Sequence, residues 1–414
     1  MSKIAIIGAG ASGIMAALVA SNNDLEIDLY EKNNSIGKKI LISGNGRCNI
    51  SNINLKKENY ITQNPDFVEN VFKRFDFNNF KKFCENMGLY LRVEQDGKVY
   101  PFSNSAKSVI EIFKENLKEK KVNILTDTVV NEIIKKDNNF IISSSIGIKK
   151  YDMVLVCVGS YAAEQLGGTL VGYDIAKKFN HKIINIFPSL VQLETNFKSL
   201  SILNGVKMDA KVSIVGIREK LKTNGDVLFT KYGLSGFAIL DISPYVCKML
   251  QNSDSVVLSV DFIKKYNRQE LLGIFQKIQK LHGHYSLINL LVGFINIKLS
   301  KALLLELNLN KDVKIKNIGL KDMRMIVNML VDWRFEIKKS HGFKYAEVCG
   351  GGIDTTKIKD KTMESKLVNN LYFAGELLDV VGKRGGYNLA FAWSCGYLAG
   401  LSIKKKSALK KRSF

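Results

Sequence analysis

The start of this chain holds the feature that most constrains its fold, a short apolar run that leads directly into closely spaced glycines. Residues 3–7 read Lys-Ile-Ala-Ile-Ile, which predicts a strand buried on both faces, as in a parallel sheet. In the motif that follows, Gly8 permits a tight turn, Gly10 lets the backbone approach a pyrophosphate, and Gly13 allows the next helix to pack closely. Because a helix begins with free N–H groups and a positive dipole end, the motif predicts a dinucleotide-binding α/β core.

A second strand and a suitably spaced acid support this interpretation. Residues 26–30 predict the strand, and Glu31 ends it. Glu31 follows Gly13 by 18 residues, near the roughly 20 residues expected for a carboxylate that accepts from ribose hydroxyls. Such an acid favours FAD or NAD over NADP, because it suits a free 2′-hydroxyl. With all these elements in order, a chance glycine turn is the weaker alternative.

Two further segments favour FAD over NAD. The loop at residues 38–49 contains Ser-Gly-Asn-Gly-Arg-Cys-Asn, which would wrap phosphates and a polar ring edge through backbone N–H groups and Arg47. Residues 371–376 predict a strand that ends in glycine and Glu376, and a glycine-led helix begins near Gly385. There the carboxylate would accept from a ribityl hydroxyl, and the helix start would stabilise negative charge on a flavin.

These motifs resemble those of the BaiN/YhiN-like family of FAD-dependent oxidoreductases. The resemblance implies an α/β fold, with an FAD-binding two-dinucleotide-binding (Rossmann-like) domain interrupted by an inserted β-barrel-like domain and a small helical domain. It also implies oxidoreductase chemistry on an organic substrate, with reduction of a conjugated C=C bond as one activity. The similarity covers nearly the whole chain and is carried by residues 31–49, 228–230, 233–236, 362–366 and 371–400.

The chain departs from the family pattern at several positions that concern the substrate more than the cofactor. Residues 157–160 and 167–172 stand where the family has Ala-Thr-Gly-Gly and a Gly-Ser-Thr-Gly-Asp-Gly-like loop. Lys231 replaces the family's histidine, and Phe237 replaces its proline. The FAD segments keep the pattern, so the substrate is the part that the resemblance specifies least.

The expected domains are interleaved, because no linker-like stretch separates them. Within the inserted β-domain, Asn224-Gly225-Asp226 predicts a turn between two short strands. The expected bounds are 1–188 and 346–403 for the FAD-binding domain, 189–263 and 334–345 for the β-domain, 264–333 for a helical cap, and 404–414 for a disordered basic tail.

The expected cofactor-binding residues follow the predicted strands or lie in glycine-rich loops, and the family position places backbone near Val129 and Val130 against the adenine. The full set is Gly8, Gly10, Ala11, Ser12, Gly13, Glu31, Lys32, Lys39, Ser43, Gly44, Gly46, Arg47, Cys48, Asn49, Val129, Val130, Val158, Gly159, Gly375, Glu376, Gly386, Tyr387, Asn388 and Leu389.

Two residues at the start of the C-terminal helix are candidates for catalysis. Arg384 would polarise a substrate carbonyl and Tyr387 would donate a proton, although binding FAD or packing is the alternative for both. Cys48 fits a buried thiol better than a redox partner. Since no second glycine motif follows a strand, either NAD(P)H binds only transiently as electron donor or another donor reduces the flavin.

The balance of charge leaves the substrate class open. The chain has 61 Lys and Arg against 39 Asp and Glu, a net charge of +22, and such a field attracts nucleic acid, anionic membranes or anionic cofactors. Lysine and asparagine are abundant throughout, which indicates a compositional bias, so a small-molecule substrate is preferred over nucleic acid. A flavin-dependent RNA-modifying enzyme and an electron carrier without its own substrate are the alternatives.

The remaining signals exclude other classes. The six cysteines are scattered without a Cys-x-x-Cys pair, which is typical of reduced thiols in a cytoplasmic protein and argues against a dithiol reductase. The most apolar stretch, residues 287–309, carries Lys298, Lys301 and Glu306, so no membrane span is expected. His282 and His284 lack a third ligand nearby in sequence, so no metal site is expected.

Overall fold

A five-stranded parallel sheet organises the region predicted to bind a dinucleotide in the computed structural model, which describes residues 1–217 and 221–412. The chain divides into two units, one formed by Met1–Ile186 with Val348–Phe414 and the other by Phe187–Glu347. The inserted unit is therefore continuous in sequence. Its expected division into a β-domain and a helical cap stays a prediction.

Strands and helices alternate through most of the chain. The strands are β1 (Ser2–Ile7), β2 (Leu25–Tyr30), β3 (Ser51–Asn52), β4 (Tyr60–Ile61), β5 (Leu91–Val93), β6 (Lys98–Pro101), β7 (Asn123–Leu125), β8 (Val130–Lys136), β9 (Asn139–Ser144), β10 (Gly147–Tyr151), β11 (Met153–Val156), β12 (Ile183–Ser189), β13 (Leu193–Glu194), β14 (Lys207–Ile214), β15 (Lys222–Thr230), β16 (Gly233–Ser235), β17 (Val256–Asp261), β18 (Trp333–Ile337), β19 (Lys339–Ser340), β20 (Val348–Ile353), β21 (Leu371–Phe373) and β22 (Val381–Gly382). The α-helices are α1 (Ala11–Ala20), α2 (Lys38–Ile42), α3 (Pro65–Arg74), α4 (Phe77–Asn86), α5 (Ala106–Glu119), α6 (Val171–Lys178), α7 (Leu200–Leu203), α8 (Phe237–Met249), α9 (Arg268–Leu281), α10 (Leu287–Val292), α11 (Ile297–Glu306), α12 (Leu320–Val331) and α13 (Tyr387–Arg412).

The parallel sheet has the strand order β7-β2-β1-β11-β21. All four of its pairings are parallel, and Ile4, Ala5 and Ile6 of β1 are fully buried, as the apolar run predicts. The chain moves outward from β1 on one side and returns on the other, so the order reverses between β1 and β11. This confirms the Rossmann-like α/β fold and makes the carboxyl ends of β1 and β11 the expected place for a ligand.

Helices α1 and α13 pack with their backbones in near contact. A Cβ atom built on Gly396 would lie 2.4 Å from the carbonyl oxygen of Ser12, and one on Gly400 would lie 2.6 Å from that of Ala16. Only glycine leaves room for this approach. The two ends of the chain are therefore parts of one core.

The inserted unit contains a seven-stranded sheet in the order β18-β17-β14-β15-β16-β13-β19. The predicted turn at residues 224–226 is wrong, because these residues lie inside β15 and pair with β14, with Gly225 opposite Ala210. Gly225 has φ of +142°, and a Cβ atom there would be 3.6 Å from the backbone nitrogen of Ala238 in α8. The glycine thus marks a close approach between strand and helix. Residues 218–220, which follow β14, lie outside the described residues.

The basic segment after residue 403 is helical through Arg412, so the expected disordered tail is wrong for residues 404–412. The reason is a buried acid from another segment. The carboxylate of Glu364 is paired with Lys406, accepts from Lys359 Nζ at 2.9 Å, and accepts from the Asn370 N–H at 2.9 Å. Glu364 is only 3% exposed, so its charge depends on these partners.

We expect Glu364→Gln to lower the free energy of unfolding by about 2 kcal/mol at pH 7, the scale of a hydrogen bond to a charged group. Burial alone would raise the pKa of Glu364, but hydrogen bonds from Lys406, Asn370 and Lys359 hold it below its ordinary value of 4.5. A lowered pKa gives stability that is present above pH 4.5 and is lost as the pH falls through the folded value. The deficit of the variant should therefore shrink in acid.

Urea titrations from pH 7 downward measure this effect. Glu119→Gln is the matched control, because Glu119 is exposed at the end of α5 and its replacement should change stability by less than about 0.5 kcal/mol. Equal losses in the two variants would contradict the assignment.

Candidate functional site

Four of the predicted segments meet at one edge of the parallel sheet. The glycine motif follows β1, Glu31 follows β2, Val158 and Gly159 follow β11, and Gly375 with Glu376 follows β21. Since the carboxyl ends of parallel strands share an edge, segments hundreds of residues apart in sequence become neighbours. This edge is the candidate site.

The three glycines of the first motif have different surroundings. Gly8 has φ of +105°, and a Cβ atom there would lie 2.6 Å from the carbonyl oxygen of Cys157. A Cβ atom on Gly13 would lie only 1.9 Å from the carbonyl oxygen of Gly8. A Cβ atom on Gly10 would meet no described atom within 4 Å. The fold therefore needs Gly8 and Gly13, whereas Gly10 leaves open space in front of a helix.

That helix is α1, whose first residues are Ala11, Ser12 and Gly13. At the start of this helix the Ile14 N–H donates to the Gly10 carbonyl oxygen at 3.0 Å. The N–H groups that precede Ile14 lie in the turn where a helix has no carbonyl partners of its own. The open space at Gly10 and these donors fit a pyrophosphate.

Glu31 is held in place by the residues around it. The residue is buried, with 8% of its surface exposed. It accepts from the Ala9 N–H at 3.0 Å, and from Asn33 through the N–H at 2.9 Å and the amide Nδ2 at 2.6 Å. A carboxylate offers about four acceptor positions, so one remains for a ribose hydroxyl. Lys32, the next residue, is exposed.

Glu376 joins four segments of the site. Its Oε2 lies 3.0 Å from Lys39 Nζ, and its Oε1 accepts from Ser160 Oγ at 2.6 Å and from the Cys349 N–H at 3.2 Å. Ser160 and Cys349 are both fully buried, and neither was among the expected site residues. Their signal is positional: Ser160 follows Gly159, and Cys349 precedes three glycines. The expected bond to a ribityl hydroxyl stays a prediction.

Three buried thiols border this edge. Burial raises the pKa of Cys48 to about 12, and burial together with the charge of Glu376 raises that of Cys349 to about 11. Burial also raises the pKa of Cys157, whose Sγ donates to the Gly8 carbonyl oxygen at 3.3 Å. Because thiols react as thiolates, these side chains act as packing groups at neutral pH.

The glycine-rich loop at residues 43–49 contacts the start of α13. With its amide oriented to satisfy both ends, Asn49 accepts from the Gly386 N–H at 3.3 Å and donates to the Ser51 carbonyl oxygen at 3.0 Å. Asn52 Nδ2 also donates to the Gly385 carbonyl oxygen at 3.0 Å. The structure thus brings together the two segments that favoured FAD in the sequence.

The residues that open α13 have distinct local roles. The side-chain amide of Asn388 accepts from the Gly382 N–H at 2.7 Å and donates to the Gly382 carbonyl oxygen at 2.9 Å, so it stabilises the turn before the helix. Burial and the charge of Asp96 raise the pKa of Tyr387, so its phenol remains protonated at neutral pH. Arg384 is half-buried, and so are Tyr387 and Leu389.

Several other residues that were predicted to bind FAD make contacts within the protein itself. The Arg47 guanidinium lies 4.5 Å from the ring centroid of Tyr100. The Val129 N–H donates to Ser145 Oγ at 3.2 Å, its carbonyl oxygen accepts from the Ser145 N–H, and Val130 pairs with Ser144 in the neighbouring strand. Ser43 Oγ donates to the Ile40 carbonyl oxygen at 2.7 Å. Gly44 and Gly46 lie in the same loop. The adenine contact of Val129 and Val130 stays a prediction.

Comparisons with known proteins agree with this fold. A family described as HI0933-like protein Rossmann domain matches residues 2–402. A 3-dehydro-bile acid delta(4,6)-reductase of Clostridium scindens is 32% identical over 98% of this chain and 100% of its own. A ribosomal RNA dihydrouridine synthase of Haemophilus influenzae is 31% identical over 98% of this chain and 99% of its own.

A solved structure gives a similar result for the fold. The 3-ketosteroid delta1-dehydrogenase of Sterolibacterium denitrificans aligns with a TM-score of 0.53 at 13% identity, over 98% of this chain and 100% of that one. Within residues 1–217 and 221–412, no helix has the length and apolarity that a bilayer crossing needs.

Proposed function

This chain belongs to the HI0933-like protein Rossmann domain family of oxidoreductases, and we propose that it uses FAD to reduce a C=C bond conjugated to a carbonyl group. The observation that carries the proposal is the contact between the 43–49 loop and the start of α13, on the same unit as the Gly10 space. A dinucleotide fold that binds only NAD gives no reason for this return of the C-terminus.

The residues of the first unit fit FAD along its length. The start of α1 and the open space at Gly10 suit the pyrophosphate, and the remaining acceptor position of Glu31 suits the ribose. The residues from Gly386 to Leu389 suit the flavin end. When bound, FAD supplies the electron chemistry, while the protein supplies binding, orientation and electrostatics.

The names of the two relatives describe the same change in a substrate. A delta(4,6)-reductase acts on double bonds of a 3-keto compound, and dihydrouridine is uridine with two added hydrogens. In both cases the bond is conjugated to a carbonyl, which a nearby cation makes more reactive. We assign that polarising role to Arg384.

Saturation of the bond also needs a proton, and Tyr387 is the candidate donor. Its pKa is raised by burial and by Asp96, so the proton is present on the phenolic oxygen at pH 7. A positioned acid contributes typically about 10²-fold or more to a rate.

The proposal predicts that the FAD-loaded protein converts cyclohexenone to cyclohexanone with NADH or NADPH as the donor. In anaerobic rapid mixing, NADH or NADPH should bleach the flavin absorbance, and subsequent addition of the enone should restore it. Tyr387→Phe should lower enone turnover by about 100-fold and leave the bleaching rate unchanged.

Two outcomes would contradict parts of this proposal. If the folded protein binds no FAD in a titration, the assignment of FAD as the cofactor is contradicted. A loaded protein that accepts electrons from NAD(P)H but saturates no enone and no uracil would instead be an electron carrier.

A second candidate function is favoured by the rRNA relatives together with the net charge of +22. Here the reduced bond is that of a uracil base in RNA, rather than that of a free small molecule. The net charge by itself did not favour nucleic acid as the substrate. If the substrate is a polyanion, however, the positive charge would contribute to its binding. Incubation with ribosomal RNA, NADPH and FAD, followed by mass spectrometry for dihydrouridine, separates the two candidates.

A further inference from the structure

A group of exposed rings and lysines lies where α9 ends in the inserted unit. We call it the His282–Tyr285 patch, and it consists of Lys280, His282, His284, Tyr285, Lys314 and Lys316. All six residues are exposed. Tyr285 leaves 40% of its surface open to solvent, so its ring is accessible to a partner.

The rings of this patch form an ordered group. The His282 and Tyr285 rings stack with centroids 4.9 Å apart and planes at 19°. The His284 ring meets Tyr285 edge-on at 4.8 Å and 80°. These contacts restrict the tyrosine, so a partner that stacks on it meets a preorganised surface.

Backbone bonds fix the two lysines of the neighbouring segment beside these rings. The Lys316 N–H donates to the Gly283 carbonyl oxygen at 3.1 Å, and the Ile315 N–H donates to that of Tyr285 at 2.9 Å. Gln279 Nε2 adds a bond of 2.7 Å to the Ile315 carbonyl oxygen. The backbone of residues 314–316 is therefore held beside the segment that carries the rings.

The lysines of the patch have no competing acids as partners. Lys280, Lys314 and Lys316 form no ion pair with any residue in the described ranges. Residues 277–316 contain seven lysines against two acids, Glu306 and Asp312. Glu306 accepts a hydrogen bond from the Ser199 N–H. Asp312 is the acid nearest in sequence to the patch.

We infer that the His282–Tyr285 patch binds single-stranded RNA, with a base stacked on Tyr285 and phosphates on the lysines. This inference rests on the second candidate function, in which the substrate is an RNA base. Stacking rings interleaved with cations are the general means of holding an unpaired strand, and unpaired bases are the parts of RNA that proteins read. An anionic membrane would also attract the lysines and accept an interfacial tyrosine, so anionic vesicles are the competing ligand in the test.

The test measures binding of the FAD-loaded full chain to a labelled single-stranded RNA of about 16 nucleotides, by fluorescence anisotropy over a series of salt concentrations. Tyr285→Ala should weaken binding by about 10-fold. The double variant Lys314→Gln/Lys316→Gln should lower the slope of log affinity against log salt by about 1.4, because each phosphate contact on a single strand contributes about 0.7.

Matched controls lie on the other unit. Tyr90→Ala removes a tyrosine that is 60% exposed, and Lys107→Gln/Lys120→Gln removes two exposed lysines. Both should bind the RNA as the parent does. Equal weakening in patch and control variants, or tighter binding to phosphatidylglycerol vesicles than to RNA, would overturn the inference.

Cyclohexenone turnover is measured on the same samples. Turnover without RNA binding would refute the patch and leave the reductase proposal standing. RNA binding that depends on the patch, without any turnover, would refute the reductase proposal alone.

Discussion

Replacing Gly13 by alanine should destabilise the first unit by about 3 kcal/mol or more, the upper range for an added group in a packed interior. The new Cβ atom would lie 1.9 Å from the Gly8 carbonyl oxygen and 3.1 Å from Cys157 Sγ. The first of these atoms is backbone, so β1 and α1 must separate. Alanine gains at most about 1 kcal/mol from helix propensity, which is too little to offset the clash.

The measurement can be confined to the unit that carries the change. Of the two tryptophans, Trp393 lies in the core of the first unit and Trp333 in the inserted unit. In a Trp333→Phe background, tryptophan fluorescence during urea unfolding follows Trp393. Gly273→Ala is the matched control, with Trp333 retained to follow its own unit, because Gly273 lies within α9 and a Cβ atom there meets nothing within 4 Å. It should be neutral or stabilising, and a Gly13→Ala protein as stable as its parent would contradict the packing argument.

Gly10→Asp should have the opposite pattern, with the fold retained and FAD affinity reduced by about 10³-fold. Gly10 is the N-cap of α1, where aspartate is among the preferred residues and its charge favours the helix dipole. The same charge would repel a pyrophosphate bound at the start of α1. At about 4 Å and an effective dielectric constant near 20, the repulsion costs about 4 kcal/mol, which corresponds to that loss.

Gly10→Asn is the control for shape, since asparagine caps a helix about as well but carries no charge. Quenching of FAD fluorescence during titration gives the two affinities, and thermal unfolding of the cofactor-free proteins gives the two stabilities. Equal losses of affinity in both variants would mean that the size of the side chain, rather than its charge, causes the loss of FAD binding. Parental affinity in the aspartate variant would place the pyrophosphate elsewhere.

Local signals were sufficient to predict the nucleotide-binding edge of the fold. The run before Gly8, the acid at Glu31 and the glycines before α13 each carry their information within a few residues. The same is true of the helix and strand types around them, because periodicity and turn chemistry are local properties.

Features that depend on distant partners escaped prediction. The bonds from Ser160 and Cys349 to Glu376 exist only because three segments converge. The helix continues past residue 403 because Lys406 meets Glu364, and lysine-rich sequence by itself indicates disorder. The sequence around Gly225 is typical of a turn, yet pairing with β14 and the nearness of α8 determine the conformation of this residue.

The packing of α1 on α13 has a consequence for biosynthesis. The ribosome makes α1 more than 360 residues before α13, so the nascent chain exposes the face of α1 that α13 covers until α13 itself has been translated. The Gly396 and Gly400 contacts with Ser12 and Ala16 can form only then. Premature termination before α13 therefore leaves this face of α1 uncovered and removes residues 386–389, which are expected to bind the flavin.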